Sequence, residues 1–208
     1  MSKTPGTLYV VSAASGAGKT SLVRWLAANA DDLMLSISHT TRPRRDREAD
    51  GEHYHFVADE EFSSMLEKGD FLESATVFGN RYGTSERWVR GRLSDGVSVV
   101  LEIDWQGARQ VREVIPCVGI FVLPPSLETL RGRLKGRGQD SDSVIDDRMR
   151  AAVDEMSHYA EFDYLLVNDD FDTACTELRA IVTSVRLRAE QQMVRHEELI
   201  SSLLGSAS

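Results

Sequence analysis

The sequence predicts an α/β protein with a parallel β-sheet at its core, and three observations support this fold class. Apolar segments of strand length alternate with segments of helical spacing along most of the 208 residues. Two apolar segments, 97–104 and 118–123, are nearly continuous, as is typical of a parallel strand covered on both faces. A third apolar segment, 8–11, leads into a loop of small residues and then into a helix.

The composition is that of a globular chain, with 41% hydrophobic residues and a formal net charge of −9. An acidic balance argues against a general surface for nucleic acid or acidic membranes. The two cysteines, Cys117 and Cys175, stand far apart in apolar or helical context, which indicates buried free thiols. No apolar run approaches membrane-spanning length and residues 1–6 lack an apolar signal core, so we expect a soluble, cytoplasmic protein.

The loop after the first strand has the pattern of a phosphate cradle. Its small residues let the backbone curl around an anion with the N–H groups inward, and the following helix adds the positive end of its dipole. The predicted phosphate-binding residues are Ala13, Ala14, Ser15, Gly16, Ala17, Gly18, Lys19 and Thr20. Lys19 can reach the β- and γ-phosphates, and the Thr20 hydroxyl can ligate Mg²⁺. The alternative is a glycine-rich turn without a ligand.

Residues 37–91 have the pattern of a small mixed α/β lobe inserted into the main fold. Before this lobe we expect a helix over 19–30 and a strand over 34–38. A basic loop, 39–47, holds four arginines in an otherwise acidic protein. The further predicted elements of the lobe are a strand at 53–57, a helix capped by Asp59 and ending at Lys68, a strand at 71–77, a turn at 79–80, and a helix from 84–87 to about Gly96.

The main fold then resumes and continues to the C-terminus. Ser126 is the expected cap of a helix that breaks at 136–140. The predicted elements are strands at 97–104, 118–123 and 162–167, helices at 106–114 and 143–156, and a C-terminal helix over 172–204, interrupted or not. The sequence does not decide what covers the apolar residues of this last helix: they could pack on the core or on another subunit of a homo-oligomer.

Three features narrow the chemistry beyond phosphate binding. Glu102 and Asp104 follow a buried strand, where a carboxylate can organise Mg²⁺, although Asp104 could instead cap the next helix. An arginine group around the helix break could close over a triphosphate, or could pair with nearby aspartates as a solvated helix face. This group consists of Arg133, Arg137 and Arg148.

The third feature is the set of arginines and tyrosines in the inserted lobe. Arginine forks and tyrosine hydroxyls suit a phosphate monoester, although Asp46, Glu48 and Asp50 could neutralise a merely solvated basic loop. Members of the set are Arg42, Arg44, Arg45, Tyr54 and Tyr82. One triphosphate site and one monophosphate site together indicate phosphoryl transfer between nucleotides.

Six motifs make the chain similar to a known family. They are SHTTRPRR (38–45), GEHY (51–54), FGNRYGT (78–84), EIDWQG (102–107), RLKGRG (133–138) and DYLLVND (163–169). In this order and spacing, over about residues 7 to 190, they resemble bacterial guanylate kinase. The chain departs from the pattern of this family at three places: Ala13 stands in place of glycine, Pro43 directly follows Arg42, and Glu102 stands where aspartate is commoner.

The resemblance implies ATP-dependent phosphorylation of GMP, and of dGMP, with Mg²⁺, and it implies roles for individual residues. Ser38, Arg42, Arg45, Tyr54, Glu73, Tyr82, Thr84 and Asp104 would bind GMP. Asn168 would lie near the ATP adenine. Thr20 and Glu102 would hold Mg²⁺, partly through water. The catalytic residues would be Lys19, Arg42, Arg133, Arg137 and Arg148. Guanine presents N1–H and N2–H₂ donors together, and the Glu73 carboxylate can accept both.

The expected domain is 5–188, followed by a helical extension over 189–208. Within it the core would be 5–36, 92–125 and 157–188, the GMP-binding lobe 37–91 and the lid 126–156. Two alternatives to the kinase stay open: a non-catalytic guanylate-kinase-like binding module, and a P-loop kinase for another phosphorylated acceptor such as a sugar. An intact Gly18-Lys19-Thr20 argues against the first, and Glu73 against the second.

Overall fold

The computed structural model describes residues 4–77, 79–136 and 142–205. In chain order its strands are β1 (Leu8–Ala13), β2 (Leu33–Leu35), β3 (His39–Thr40), β4 (His55–Phe56), β5 (Phe71–Val77), β6 (Asn80–Ser85), β7 (Ser98–Glu102), β8 (Val118–Leu123) and β9 (Tyr164–Val167). Its helices are α1 (Lys19–Ala28), α2 (Asp59–Glu67), α3 (Glu86–Ser94), α4 (Trp105–Val114), α5 (Leu127–Lys135), α6 (Asp142–Ser157), α7 (Phe171–Arg186), α8 (Ala189–Arg195) and α9 (Glu197–Gly205).

The larger sheet has five strands in the order β2-β7-β1-β8-β9, and every pairing in it is parallel. Its central strand, β1, is buried along its whole length. The predicted α/β fold with a parallel sheet is therefore confirmed. Because the carboxyl ends of parallel strands share one edge, the ends of β1 and β7 bring Ala13 and Glu102 to the same side of the molecule.

Alternation of side chains along β1 explains why both faces of this sheet are covered. Tyr9 and Val11 point into a cluster with residues of α1 and α7, whereas Leu8 and Val10 point into a cluster with residues of α3 and α4. A strand buried on both faces needs mostly apolar residues, and in β1 the hydroxyl of the buried Ser12 donates to a backbone carbonyl oxygen.

The smaller sheet has the order β4-β3-β6-β5, with β3 and β4 parallel and the other pairs antiparallel. Two expectations about strands were wrong, one for β2 of the larger sheet and one for β6 of the smaller sheet. The predicted strand 34–38 is shorter and earlier, at 33–35, and β6 occupies 80–85, where a turn and a helix start were predicted. β6 is rich in polar residues and glycine, so its extended form depends on pairing with β5 along its length rather than on a local apolar pattern.

Helix caps agree with the sequence in some places and differ in one. The Ser126 hydroxyl accepts the N–H of Thr129 at 3.0 Å, as predicted for α5. Asp59 does not cap α2, because Ala58 occupies the cap position and the Asp59 carboxylate instead pairs with Arg81 at 3.1 Å.

At the C-terminal end the predicted long helix is interrupted into α7, α8 and α9. α7 buries residues against the sheet, while apolar residues of α9 such as Leu199 are exposed. Both cysteines are free, with Cys175 buried and Cys117 partly buried. Within the described ranges, no helix is both long and apolar enough to cross a membrane.

Truncating Leu178 should destabilise the protein, because its side chain is 0% exposed between α7 and the sheet. We expect Leu178→Ala to lower the free energy of unfolding by about 2–5 kcal/mol, measured by urea unfolding without nucleotide. Leu199→Ala is the matched control, since Leu199 is 55% exposed; its change should stay within about 0.5 kcal/mol. Equal losses in the two variants would contradict this description of the core.

Candidate functional site

The cavity at the carboxyl ends of β1 and β7 opens toward the smaller sheet and has a volume of about 280 Å³. It collects residues from both parts of the fold. Those predicted from the sequence that line it are Ala13, Ala14, Ser15, Gly16, Gly18, Lys19, Thr20, Ser38, Tyr54, Glu73, Tyr82, Glu102 and Asp104. Most residues of the two predicted phosphate sites therefore meet around one space.

The loop between β1 and α1 has the backbone that a phosphate cradle needs. Gly16 and Gly18 have φ angles of 92° and 96°, in the left-handed region that glycine adopts without strain. A Cβ at Gly18 would also lie 2.2 Å from Nδ2 of Asn168. Gly18 is the N-cap of α1, so the positive end of the helix dipole lies at this loop.

Asn168 supports the loop from beneath and does not line the cavity. It is 4% exposed, and its Nδ2 donates to the carbonyl oxygen of Ala17 at 2.7 Å. This bond explains why Ala17, which is itself buried, faces away from the cavity. The position of Asn168 is that of a residue holding the loop's shape.

Lys19 extends across the end of the sheet. Its Nζ donates to the carbonyl oxygen of Ile103 at 2.9 Å, and the buried hydroxyl of Ser12 donates to the same oxygen at 2.9 Å. The residue after β7 thus fixes the ammonium group at the cavity.

Two oxygen ligands predicted for a metal touch each other. The Thr20 hydroxyl donates a hydrogen bond to the Glu102 carboxylate. Hydroxyl and carboxylate oxygens are ligands that Mg²⁺ prefers, and Mg²⁺ is usually bound by few protein groups together with water and substrate phosphates. Among the residues that the structure describes, no cluster of three or more His, Cys, Asp or Glu could hold a metal ion by itself. The donor set fits Mg²⁺ bound jointly with a nucleotide.

A second cavity, of about 600 Å³, adjoins the first and contains the basic loop. Six residues line both cavities: Thr20, Ser21, Ser38, Tyr54, Tyr82 and Glu102. Arg42 and Arg45 line the second cavity. The two predicted phosphate sites therefore lie next to each other.

Arg42 is held by a partner that sequence reasoning treated only as a neutralising charge. Its Nη2 lies 2.7 and 2.9 Å from the two Glu48 oxygens, and the side chains are only 12% and 14% exposed. The backbone N–H of Arg45 also donates to Glu48, at 2.9 Å. These contacts lower the pKa of Glu48 against the opposing effect of burial.

Tyr54 and Tyr82 pack edge to face, with ring centroids 5.8 Å apart. The Arg42 guanidinium lies 5.4 Å from the Tyr54 ring centroid, within range of a cation–π interaction. Burial raises the pKa of Tyr54 to about 12, so its hydroxyl stays a hydrogen-bond donor at neutral pH.

Glu73 is a buried carboxyl group on β5, 4% exposed. The Thr84 hydroxyl donates to its Oε1 at 2.6 Å, and a Cβ built on Gly107 would lie 2.5 Å from its Oε2. Burial raises the pKa of Glu73 to about 7; the Thr84 bond opposes this shift and the nearby Asp104 carboxylate adds to it. Asp104 itself caps α4, as its alternative role predicted, by accepting the N–H of Gly107 at 2.9 Å.

The arginine group around the helix break divides in this structure. Arg133 on α5 donates to the carbonyl oxygen of Asn168 at 3.0 Å and to that of Ala17 at 3.3 Å, so it lies against the base of the phosphate loop. Arg148 is on α6 at intermediate exposure. Arg137 lies outside the described residues.

Sequence reasoning missed a charged residue at the cavity. Glu155, near the end of α6, accepts the N–H of Ser15 at 2.9 Å and lines the first cavity. Its neighbour Asp154 is exposed and carries the same charge, and no local pattern distinguishes the two. The contact joins residues 140 positions apart, so only the fold could reveal it.

Comparisons with known proteins agree with this geometry. The family model described as guanylate kinase matches residues 5–185. Guanylate kinase of Saccharophagus degradans is 58% identical over 201 residues, covering 96% of this chain and 98% of that protein. That of Escherichia coli strain K12 is 55% identical over 203 residues, covering 96% and 98%.

Among solved structures, the guanylate kinase of Anaplasma phagocytophilum matches with a TM-score of 0.79 and 32% identity, covering 97% of each chain. The sequence motifs, the fold and the similarity over the full length all indicate the same family. The chain belongs to the guanylate kinase family.

Proposed function

We propose that this chain transfers the γ-phosphoryl group of ATP to the phosphate of GMP, which yields ADP and GDP. The observation that carries the proposal is a pair of adjoining cavities: the first is lined by the phosphate loop and by the Glu73 carboxyl, which matches the guanine edge, and the second by Arg42 and Arg45. The full-length likeness to guanylate kinases supports the same reaction.

We assign the parts of the fold as follows. Residues 5–36, 92–125 and 157–188 form the core, 37–91 the GMP-binding lobe and 126–156 the lid, with 189–208 as a C-terminal extension. The separate smaller sheet supports the lobe, because all four of its strands fall within 39–85. We also propose that the enzyme acts in the cytoplasm, and that dGMP is an acceptor.

In the donor half, residues 13–20 bind the ATP phosphates. Ser15, Gly16, Gly18 and Thr20 line the cavity, and Lys19 is poised there by Ile103. Asn168 serves the donor site by holding Ala17. Thr20 and Glu102 would hold Mg²⁺ together with the nucleotide and water. When bound, Mg²⁺ neutralises charge shared by the β- and γ-phosphates.

In the acceptor half, the GMP phosphate binds at the arginine and tyrosine end of the second cavity. Arginine donors and neutral tyrosine hydroxyls converge on a phosphate monoester. The residues we assign to this end are Arg42, Arg45, Tyr54 and Tyr82. Ser38, Thr84 and Asp104 complete the guanine end around Glu73.

The transfer itself needs no general base, because the GMP phosphate is already anionic near neutral pH. The γ-phosphoryl group passes from the ADP oxygen to a GMP phosphate oxygen, so one P–O bond breaks as another forms. Positioning and neutralisation of charge carry catalysis, and an arginine supplied to the transferring group is worth about 10³–10⁵-fold in rate. We assign this role to the lid arginines Arg133, Arg137 and Arg148, together with Lys19 and Arg42.

Acceptor specificity gives the most direct test. In a coupled assay of ADP release across GMP, AMP, CMP, UMP and sugar phosphates, GMP should be preferred over AMP by about 10⁴–10⁵-fold in kcat/KM, since AMP leaves the buried Glu73 unmatched. A sugar phosphate as best acceptor would favour a different kinase. No GMP-dependent ADP release would favour the non-catalytic binding module.

Replacing Lys19 tests the donor half. Lys19→Ala should lower kcat/KM by about 10²-fold or more and weaken ATP binding measured by calorimetry, while circular dichroism stays unchanged. Lys68→Ala is the control, since Lys68 is exposed at the end of α2. ATP affinity equal in wild type and Lys19→Ala would rule out the loop as the donor site.

The raised pKa of Glu73 makes GMP binding depend on pH. Guanine donors need the carboxylate, but Glu73 is largely protonated below about pH 7 in the free protein. GMP affinity should therefore fall as pH drops below 7, by up to about tenfold per pH unit, when measured by calorimetry between pH 5.5 and 8.5.

Glu73→Gln separates this effect from the second ionisation of the GMP phosphate, near pH 6, because the variant keeps only the latter. Stability gives the opposite slope. The pKa of Glu73 is higher in the folded protein than in the unfolded chain, so as the pH rises the unfolded carboxyl ionises first. The free energy of unfolding of the wild type should therefore fall as the pH rises from about 4.5 to about 7, and that of Glu73→Gln should lack this fall. Identical pH profiles in both proteins would refute the assignment of Glu73.

A further inference from the structure

The contact between Glu155 and Ser15 puts a carboxylate of the lid segment on the phosphate loop. Oε2 of Glu155 accepts the Ser15 backbone N–H at 2.9 Å. Ser15 is one of the loop residues that line the first cavity, and Glu155 lines the same cavity. A negatively charged oxygen of the protein is thus bound to a donor that belongs to an anion-binding backbone.

The Glu155 carboxyl group is partly buried at the cavity. Burial raises the pKa of Glu155, and the nearby carboxylates of Asp104 and Asp154 add to this shift. The Ser15 N–H and the charge of Lys19 act in the opposite direction, toward the ionised form. The hydrogen bond from Ser15 and the charge of Lys19 are therefore the two interactions that favour a carboxylate at this position.

The end of α6 is anchored, which keeps Glu155 at the loop. Met149, Ala152 and Met156 of this helix pack with Ala14 of the loop and with Leu130 and Leu134 of α5. Just after the helix, His158 stacks on Trp105 with ring centroids 3.7 Å apart. Glu155 is therefore delivered to the loop by a packed helix.

A triphosphate at the same loop brings further negative charge to the Ser15 N–H, which is bonded to Glu155, and to the neighbouring Lys19. Like charges in a partly buried site repel strongly, because little water screens them. Glu155 and the donor phosphates cannot both be fully stabilised by one loop.

We propose that Glu155 is a built-in competitor of the donor phosphates. In the nucleotide-free protein its carboxylate occupies the Ser15 N–H, and ATP binding displaces the carboxylate from that donor. Because coupling is reciprocal, removing the carboxylate strengthens ATP binding. The proposal rests on the assignment of residues 13–20 as the ATP site.

The test compares ATP binding by calorimetry, without GMP, in wild type, Glu155→Gln and Glu155→Ala. The Gln variant removes the charge at constant size, and the Ala variant removes the hydrogen bond as well. Both should bind ATP more tightly, on the order of tenfold. Glu128→Gln makes the same chemical change at an exposed position of α5 and should bind as wild type does.

A second readout examines the contact itself. In the nucleotide-free wild-type protein, the Ser15 amide proton should exchange slowly with solvent, and in Glu155→Ala it should exchange faster, as followed by NMR. A merely structural role would instead lower thermal stability and weaken ATP binding together.

The outcomes separate this inference from the proposed function. If both Glu155 variants bind ATP as the wild type does or more weakly, while Lys19→Ala still weakens ATP binding, the proposal that Glu155 competes with the donor phosphates is overturned. ATP affinity that is insensitive to Lys19→Ala overturns the donor-site assignment itself.

Discussion

The site depends on one backbone constraint: a fully buried strand, β1, must turn within a short loop into the start of α1. Left-handed φ angles at Gly16 and Gly18 make that turn possible. The neighbouring strands set its surroundings, since β7 supplies the Ile103 carbonyl that receives Lys19 and the end of β9 supplies Asn168 beneath Ala17. The loop is thus held by three parts of the sheet, and its shape does not have to be created by the nucleotide.

The phosphate-binding groups in this acidic protein are matched by its own carboxylates. Glu48 pairs with Arg42 and accepts the Arg45 backbone N–H, while Glu155 accepts that of Ser15. A guanidinium that is only 12% exposed would be costly without a partner. The Glu48 ion pair uses Nη2 of Arg42, and Nη1 donates to the carbonyl oxygen of the next residue at 2.8 Å, so the guanidinium is held on two sides. Each of the two proposed phosphate sites therefore contains a carboxylate that already accepts a hydrogen bond from one of its donors.

Sequence patterns predicted the parallel sheet and the phosphate loop because both arise from local rules: continuous apolar runs and small residues before a helix. They failed for β6, whose polar residues become a strand only through pairing with β5, and for the cap of α2, where Asp59 pairs with Arg81 instead. Glu155 illustrates the limit most clearly. Its contact with Ser15 depends on how α6 packs on the loop, and nothing in the neighbouring sequence records that packing.

Glu73 is a carboxyl group whose burial is unfavourable to folding and which, as we propose, selects guanine. Its burial at 4% exposure is unfavourable to the charged form, and Thr84 satisfies only part of its hydrogen-bonding capacity. The close approach of Gly107 keeps bulk away from the other oxygen. A glutamine here would present an amide donor as well as an acceptor, so it could not accept two guanine donors as a carboxylate does. Within the fold this carboxyl group accepts the hydrogen bond of the buried Thr84 hydroxyl, and its remaining capacity to accept matches the two adjacent N–H donors of the ligand that we propose.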